Sequence, residues 1–176
     1  MVRRRYHAFR ERKPMISPVS GEVVFSDGLR FSPHEALSEA HVRDARSHSL
    51  LPIPGWTQHR LGIHPSKHGP FEVEAVSDRD SRIQAVLVAH AHSFYRPDTP
   101  NDSERRAFHE GVIGSDLLGQ REFSWGEAFC RLDIERNKDW LVIVYTAGPQ
   151  VPLHRAELLR HLRGHVLVPD SRNAKF

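Results

Sequence analysis

The feature that most constrains the fold is a pair of strand-like runs joined by a short polar segment. In the first run, FEVEAV, the residues Phe71, Val73 and Ala75 lie on one face of a strand, because side chains alternate between the two faces. After the polar residues 77–81 the alternation resumes, and one face of a second strand carries Ile83, Ala85, Leu87, Ala89 and Ala91. A connection this short joins antiparallel neighbours, since parallel strands need a longer crossover. The two runs therefore predict an antiparallel sheet.

Other segments extend the predicted sheet. GEVVFSDGLRF places Asp27 and Gly28 between two short apolar runs, and glycine accepts the positive φ of a tight hairpin turn. WTQHRLGIH follows two prolines and is typical of a strand. FSWGEAFCRLDIERNKDWLVIVYTAG predicts a last hairpin with its turn near residues 137–138. Within it, Trp125 beside Gly126 is typical of an aromatic anchor next to a bulge.

Three segments predict helices. SPHE, residues 32–35, has the pattern of a capping box with proline at the first helical position, so a helix is expected over 33–46. A second helix is expected over 100–118, and RAELLRHLRGH predicts a short third helix that stops at Gly164. Because hairpins connect most of the strands, we predict one α+β domain over 14–176, a mainly antiparallel sheet with two or three helices packed on one face.

The basic charge of the chain is concentrated in its first 13 residues. The whole sequence has 25 Lys and Arg against 22 Asp and Glu, yet the chain without this arm has slightly more acids than bases. The cations of the arm are Arg3, Arg4, Arg5, Arg10, Arg12 and Lys13. We predict a disordered arm over 1–13, and the alternative is nucleic-acid binding through these six residues. No aromatic platform or base-reading motif accompanies them.

Composition is typical of a soluble globular protein. Hydrophobic residues make up 39% of the sequence and charged residues 27%, and no apolar run is long enough to cross a bilayer. The N-terminal residues lack the apolar stretch of a secretory signal, so the expected location is the cytoplasm. Cys130 is the single cysteine and is expected to be a small buried residue, not a nucleophile.

A candidate metal site follows the second strand-like run. His90-Ala-His92 with Thr99-Pro-Asn-Asp102 resembles the metal-binding elements of JAMM/MPN-type zinc hydrolases. The resemblance implies a zinc ion with three protein ligands, His90, His92 and Asp102, and an open position for activated water. It also implies an upstream general base, which would be Glu22 or Glu74.

Helix capping explains part of the same motif. Thr99 is a suitable N-cap, Pro100 suits the first helical position, and Asp102 falls where the helix dipole favours an acid. The SPHE segment shows the same device earlier in the chain. The sequence also departs from the hydrolase family, because Ser93 stands where a proline is usual and Thr99 replaces a serine. Capping is therefore the favoured interpretation, and the zinc site is the alternative.

Other polar candidates follow no catalytic spacing. Five histidines between residues 41 and 68 match no ligand pattern and are expected to be mostly solvated: His41, His48, His59, His64 and His68. Glu72 and Glu74 alternate along one strand face. They are compatible with a general acid-base pair, although acids on a solvent-facing strand edge are the usual explanation.

Separated pieces of the sequence resemble one group of small proteobacterial proteins. The pieces are ISPVSGEVVFSDGLRFSP, then GWTQHRLG and GPFEVEAV, and finally LLGQREFSWGEAFCRLDIERNKDWLVIVY, spanning residues 16–145. They share a pattern of aromatic, glycine and strand residues without a reactive motif. Some members of the group lie beside polymorphic or contact-dependent toxins. The resemblance implies an immunity protein, a cytoplasmic partner that binds one toxin domain and blocks its active site.

Carboxylates are the candidate partner-binding residues. If the toxin is a nuclease, its phosphate-binding cleft is basic, and an inhibitor can occupy that cleft with acids. The acids at or near the predicted strand ends and the start of the second helix are Glu72, Glu74, Asp78, Asp80, Asp98, Asp102 and Glu104. The favoured prediction is a non-enzymatic inhibitor without a cofactor, and zinc belongs only to the hydrolase alternative.

Overall fold

The fold is known from a computed structural model that describes residues 15–42, 47–50, 54–66, 69–91, 121–133, 138–147 and 155–163. Its strands are β1 (Val23–Val24), β2 (Arg30–Phe31), β3 (Ser47–Leu50), β4 (Thr57–Ser66), β5 (Gly69–Ser77), β6 (Ile83–His90), β7 (Arg121–Phe123), β8 (Gly126–Asp133) and β9 (Lys138–Tyr145). Its helices are α1 (Glu39–Val42) and α2 (Arg155–Arg163). The basic arm over 1–13 and the expected helix over 100–118 lie outside the described residues.

Seven of these strands form one antiparallel sheet, and β1 and β2 form a separate hairpin. The sheet order is β3-β4-β5-β6-β9-β8-β7, with every neighbouring pair antiparallel. In the small hairpin, Val23 lies opposite Phe31. Its turn has Gly28 at φ +88, and Leu29 N–H donates to Oδ1 of Asp27 at 3.1 Å. The predicted mainly antiparallel sheet is confirmed.

Both faces of the sheet are buried. The core on the first face includes Phe71, Val73, Ala75, Val86, Val88, Leu141, Ile143 and Tyr145. The core on the second face includes Val76, Ala85, Leu87, Ala89, Phe129, Trp140, Val142 and Val144. One face assignment from the sequence is wrong, because Ile83 lies in the first core and not beside Ala85. A register shift between Val76 and Ser77, opposite the start of β6, accounts for the change of face.

Residues 15–37, which we call the N-terminal layer, cover the first face. Their buried members Met15, Ile16, Val23, Phe25 and Phe31 belong to the first core. Two aromatic side chains bind the backbone of this layer. The hydroxyl of Tyr145 on β9 donates to the carbonyl of Gly21, and Nε1–H of Trp125 in the β7–β8 turn donates to that of Pro18, both at 3.0 Å. Burial raises the pKa of Tyr145 well above its usual value, so the phenol keeps its proton.

The helix predicted over 33–46 is wrong at its start. Residues 32–35 form a turn in which Glu35 N–H donates to the carbonyl of Ser32 at 3.2 Å and His34 has φ +58. Proline in the second position and a positive φ in the third are typical of a type II turn. The chain then pairs with the start of β6, since His34 N–H donates to the carbonyl of Ile83 and Ile83 N–H to that of Glu35. These non-local bonds replace the helical ones, and in the described part of 33–46 helix begins only at Glu39.

The two described helices lie on opposite sides of the sheet. His41 of α1 stacks on Phe31 of the N-terminal layer with ring centroids 5.0 Å apart, whereas Leu158 and Leu162 of α2 join the second core. The prediction of helices packed on one face is therefore wrong for this pair. Only α2 exceeds a single turn, so the predicted number of helices is not confirmed. Neither of the two is long enough, or apolar enough, to span a membrane.

The last predicted hairpin is confirmed. β8 pairs with β9 from Gly126 opposite Tyr145 to Asp133 opposite Lys138. At the start of β8 the two backbones pack closely, because a Cβ on Gly126 would overlap the carbonyl oxygen of Val144. Trp125, 5% exposed, fills the space above the first core, as the sequence predicts for an aromatic anchor.

Candidate functional site

Glu74 lies in a different environment from the one that the sequence indicates. Its side chain on β5 is 1% exposed, so the expected solvent-facing position is wrong. Oε2 of Glu74 accepts a hydrogen bond from Nε2 of Gln58, and Oε1 lies 3.3 Å from Nε of Arg60. Both partners belong to β4. The carboxylate therefore holds β4 and β5 together inside the protein.

This position predicts that Glu74→Gln lowers stability. The amide loses the charge that pairs with Arg60 and keeps only one oxygen to accept from Arg60 or Gln58, so we expect a loss of about 1–3 kcal/mol in the free energy of unfolding. Urea denaturation measures it. Asp80→Asn, on an exposed turn, is the matched control and should change stability by less than about 0.5 kcal/mol. Equal midpoints for the two variants would contradict the role given to Glu74.

Asp78 closes the turn between β5 and β6. Its Oδ1 accepts hydrogen bonds from the N–H groups of Asp80 and Arg82 at 3.0 and 2.9 Å, and its Oδ2 accepts one from Nε2 of Gln84 at 2.7 Å. Glu72 is half-buried on β5 and Asp80 is exposed. The other predicted partner-binding acids, Asp98, Asp102 and Glu104, lie outside the described residues. The four described acids thus occupy separate environments along β5 and its turn.

The candidate zinc ligands fall mostly outside the described chain. His90 is the last residue of β6, where its backbone pairs with Phe71, while His92 and Asp102 are not among the described residues. Of the possible bases, Glu22 pairs with Arg30 at 2.7 Å and Glu74 with Arg60. Within the described ranges, no three His, Cys, Asp or Glu residues are grouped so as to hold a metal ion. The zinc site stays a prediction.

A polar cavity of about 410 Å³ lies where the β1–β2 hairpin, α1 and β4 meet. We call it the hairpin cavity. The residues that line it are Asp27, Gly28, Leu29, Arg30, Glu35, Ser38, His41 and His64. None of these side chains belongs to the sets that the sequence singled out for a partner or a metal.

His64 connects β4 to the hairpin turn in this wall. Its Nδ1–H donates to Oδ2 of Asp27 at 2.9 Å, and its Nε2 lies 3.1 Å from the carbonyl oxygen of Leu61. The ring packs against Phe25 with centroids 5.7 Å apart. The side chain is 16% exposed, so the expectation of a solvated histidine is wrong for His64.

His41 is buried and caps α1. Ser38 N–H donates to Nδ1 of His41 at 2.9 Å, and Nε2–H donates to the carbonyl of Arg30 at 2.7 Å. Ser38 is the residue before the helix and His41 is its third residue, so the pair forms a capping box with histidine in place of glutamate. The Ser38 hydroxyl oxygen lies 2.8 Å from the same Nδ1, a distance also typical of a catalytic serine and its histidine base. Helix capping explains this short distance, because both ring nitrogens of His41 already form hydrogen bonds with backbone groups.

The Asp27 contacts predict acid-sensitive stability. Partial burial raises the pKa of Asp27, but the hydrogen bonds from His64 and Leu29 lower it by more. The pKa of Asp27 is therefore below its ordinary value. A carboxyl with a depressed pKa stabilises the fold above its unfolded pKa and stops doing so as the pH falls through the folded value. We expect Asp27→Asn to flatten the loss of stability below about pH 5, measured by urea denaturation across pH. An unchanged slope would show that Asp27 has no such role.

Sequence patterns could locate only part of this cavity. The sequence predicts the hairpin turn at Asp27-Gly28. It also predicts the capping contact in which Ser32 N–H donates to Oε2 of Glu35, at 3.1 Å. The long-range partner His64 carries no local signal, because β4 lies more than thirty residues along the chain. Only the pairing of strands brings it to the hairpin.

Comparison with known proteins gives one structural likeness. The chain matches no protein-family model, and no curated protein matches it. Among solved structures it is similar to a chain in the structure of Rhs1-CT in complex with cognate immunity protein RhsI1. The TM-score is 0.49 and the sequence identity 12%, over 85% of this chain and 95% of that chain. A likeness of this degree does not bear on function.

Proposed function

We propose that the protein is an immunity protein that binds a cognate toxin domain in the cytoplasm and blocks its active site. The proposal rests mainly on the positions, in the fold, of the sequence segments that resemble immunity proteins. GEVVFSDGLRF forms the hairpin of the N-terminal layer, GWTQHRLG and GPFEVEAV form β4 and β5, and REFSWGEAF enters β7 and β8. The pieces that resemble immunity proteins therefore build much of the described fold, including the β1–β2 hairpin and the strands β5, β8 and β9.

The described polar groups also suit binding better than catalysis. The one serine and histidine pair in the hairpin cavity is a helix cap, and Glu74 and Asp78 hold strands and turns together. A stable sheet with a polar surface cavity is suited to recognition by a protein partner, where a few well-placed groups dominate affinity. The pair formed by Rhs1-CT and RhsI1 is of the same general kind, although the proposal does not rest on that likeness.

The target that we propose is a nuclease domain encoded beside this protein. A nuclease cleft is basic because it binds phosphate, and acidic groups on an inhibitor both speed association and select the partner. Co-expression of the chain with each neighbouring gene product tests the proposal. We expect a stable one-to-one complex with one of them in size-exclusion chromatography. Failure to co-purify with any neighbouring toxin domain would count against it.

The zinc-hydrolase alternative makes a separate prediction about metal content. If His90, His92 and Asp102 hold zinc, protein purified without a histidine tag contains about one equivalent, and His90→Ala with His92→Ala removes it. We expect no stoichiometric zinc in the wild-type protein by elemental analysis. A full equivalent that the double variant loses would favour the hydrolase over the inhibitor.

A further inference from the structure

We infer that the hairpin cavity receives an arginine side chain of the partner. The inference rests on the proposed function, because it describes how the toxin domain would be recognised. It places the contact at Asp27 and Glu35, two carboxylates that the sequence did not single out, and away from the acids of β5 and its turn. The reason is the balance of hydrogen-bond donors and acceptors in the cavity wall.

Apart from the Arg30 guanidinium, which pairs with Glu22, the described donors of the wall are already engaged. The backbone N–H groups of Gly28 and Leu29 donate to the Phe25 carbonyl and the Asp27 carboxylate, each at 3.1 Å. Ser38 N–H donates to His41, and His41 Nε2–H donates to a backbone carbonyl. His64 Nδ1–H donates to Asp27. A ligand that needs donors, such as a phosphate or a carboxylate, therefore finds mainly the Arg30 side chain in this wall.

Acceptors remain on the two carboxylates. A carboxylate has about four lone-pair positions. Glu35 accepts one hydrogen bond through Oε2, from Ser32 N–H, and the described residues provide no partner for its Oε1. Asp27 accepts one hydrogen bond on each oxygen. Since the pKa of Asp27 is lowered, it is ionised at neutral pH. The cavity is therefore able to accept hydrogen bonds from a cation.

Arg30 does not neutralise these acids directly. Its Nη2 lies 2.7 Å from Oε1 of Glu22, and its side chain is 64% exposed. On β1 the opposite residue is Val24, which is 44% exposed. An ion pair and an exposed apolar side chain thus adjoin Arg30, which lines the cavity together with the two acids. This is the usual composition around a charged anchor in a protein interface.

Arginine fits the cavity better than lysine. The two carboxylates come from different segments, the hairpin turn and the turn at 32–35, so a ligand must donate in several directions. The guanidinium group has five N–H donors in a planar fork, whereas an ammonium group has three around one atom. Arginine is also enriched among the residues that dominate binding energy in protein interfaces.

Titration with methylguanidinium tests the chemistry of the cavity without any partner. We expect saturable NMR shifts of the Gly28 and Leu29 amides in the wild type, and their loss in Asp27→Asn with Glu35→Gln. The side-chain amides introduced at positions 27 and 35 keep an oxygen that accepts from the Leu29 and Ser32 N–H groups. The double variant should therefore fold, and a dispersed NMR spectrum will confirm that it does. Absence of saturable shifts, shifts unchanged in the double variant, or equal shifts with acetate would overturn the inference.

Affinity for the toxin domain tests the inference in the complex. Asp27→Asn with Glu35→Gln should weaken binding about tenfold or more. The control with the same loss of charge is Glu122→Gln with Glu157→Gln, at exposed positions on β7 and α2, which should leave affinity within about twofold. Equal effects of the two double variants overturn the inference and leave the inhibitor function intact. If the wild type binds no toxin domain, the inhibitor function fails, and the methylguanidinium titration alone decides the chemistry of the cavity.

Discussion

Gly126→Ala should prevent stable folding. Gly126 has φ +154, and an added Cβ would overlap the carbonyl oxygen of Val144 on β9. That oxygen belongs to the backbone of a central strand, so it cannot move without opening the β8–β9 pairing beside Tyr145. We expect a loss of about 4 kcal/mol or more in the free energy of unfolding, a large part of the stability of a domain this size.

Gly28→Ala is the matched control for this prediction. Gly28 also has a positive φ, +88, but no atom lies within 4 Å of the position where its Cβ would be. Only backbone strain of about 1–2 kcal/mol is therefore expected. Circular dichroism and urea denaturation of both variants separate the steric effect from the conformational one. Similar midpoints for the two variants would show that the close approach of β8 and β9 at Gly126 does not matter.

Trp125→Ala should cost about 3–5 kcal/mol. The indole stacks on Phe123 with centroids 4.7 Å apart and meets the Tyr145 ring edge-on at 6.0 Å. Its Nε1–H holds the carbonyl of Pro18, and its ring leaves no space for a side chain at Gly21, whose added Cβ would lie 2.6 Å from it. Removing it takes away both the support of the β7–β8 turn and a contact to the N-terminal layer.

Trp125→Phe separates packing from hydrogen bonding at the same position. A phenyl ring keeps much of the stacking on Phe123 but cannot donate to Pro18, so we expect a smaller loss of about 1–2 kcal/mol. Hydrogen exchange should show faster exchange at residues 15–24 in both variants, and more so in Trp125→Ala. If the two variants lose the same stability, the hydrogen bond and not the packing would be the main contribution.

Most of the longer strands of this protein follow from short-range sequence patterns. Alternation and turn residues predict β5 and β6, and Asp27-Gly28 predicts the β1–β2 hairpin, because both signals act within a few residues. The β8–β9 hairpin is visible for the same reason. β5, β6, β8 and β9 form most of the seven-stranded sheet, and the prediction of a mainly antiparallel sheet is confirmed.

The errors arise where distant segments decide the local structure. The SPHE segment has a local capping pattern, yet residues 34–37 pair with residues 81–83, and those bonds prevent a helix from starting at Pro33. The face of Ile83 depends on a register shift against Ser77. Neither partner can be identified from the sequence of one segment.

The candidate site was less predictable than the fold for the same reason. Glu74 has the sequence context of an exposed acid, but β4 supplies its partners Arg60 and Gln58. The hairpin cavity combines Asp27 and Glu35 with His64, which comes much later in the chain. Such a site becomes visible only when the register of the strands is known.

An inhibition assay with the toxin domain that we propose is encoded beside this protein is the most direct test of the proposed function. Toxin activity should be measured in vitro against increasing amounts of the wild-type chain. An immunity protein that binds one toxin domain predicts complete inhibition when the two are equimolar, and protection of cells that express both. Full toxin activity in the presence of excess protein, with every toxin domain encoded beside it, would contradict the account.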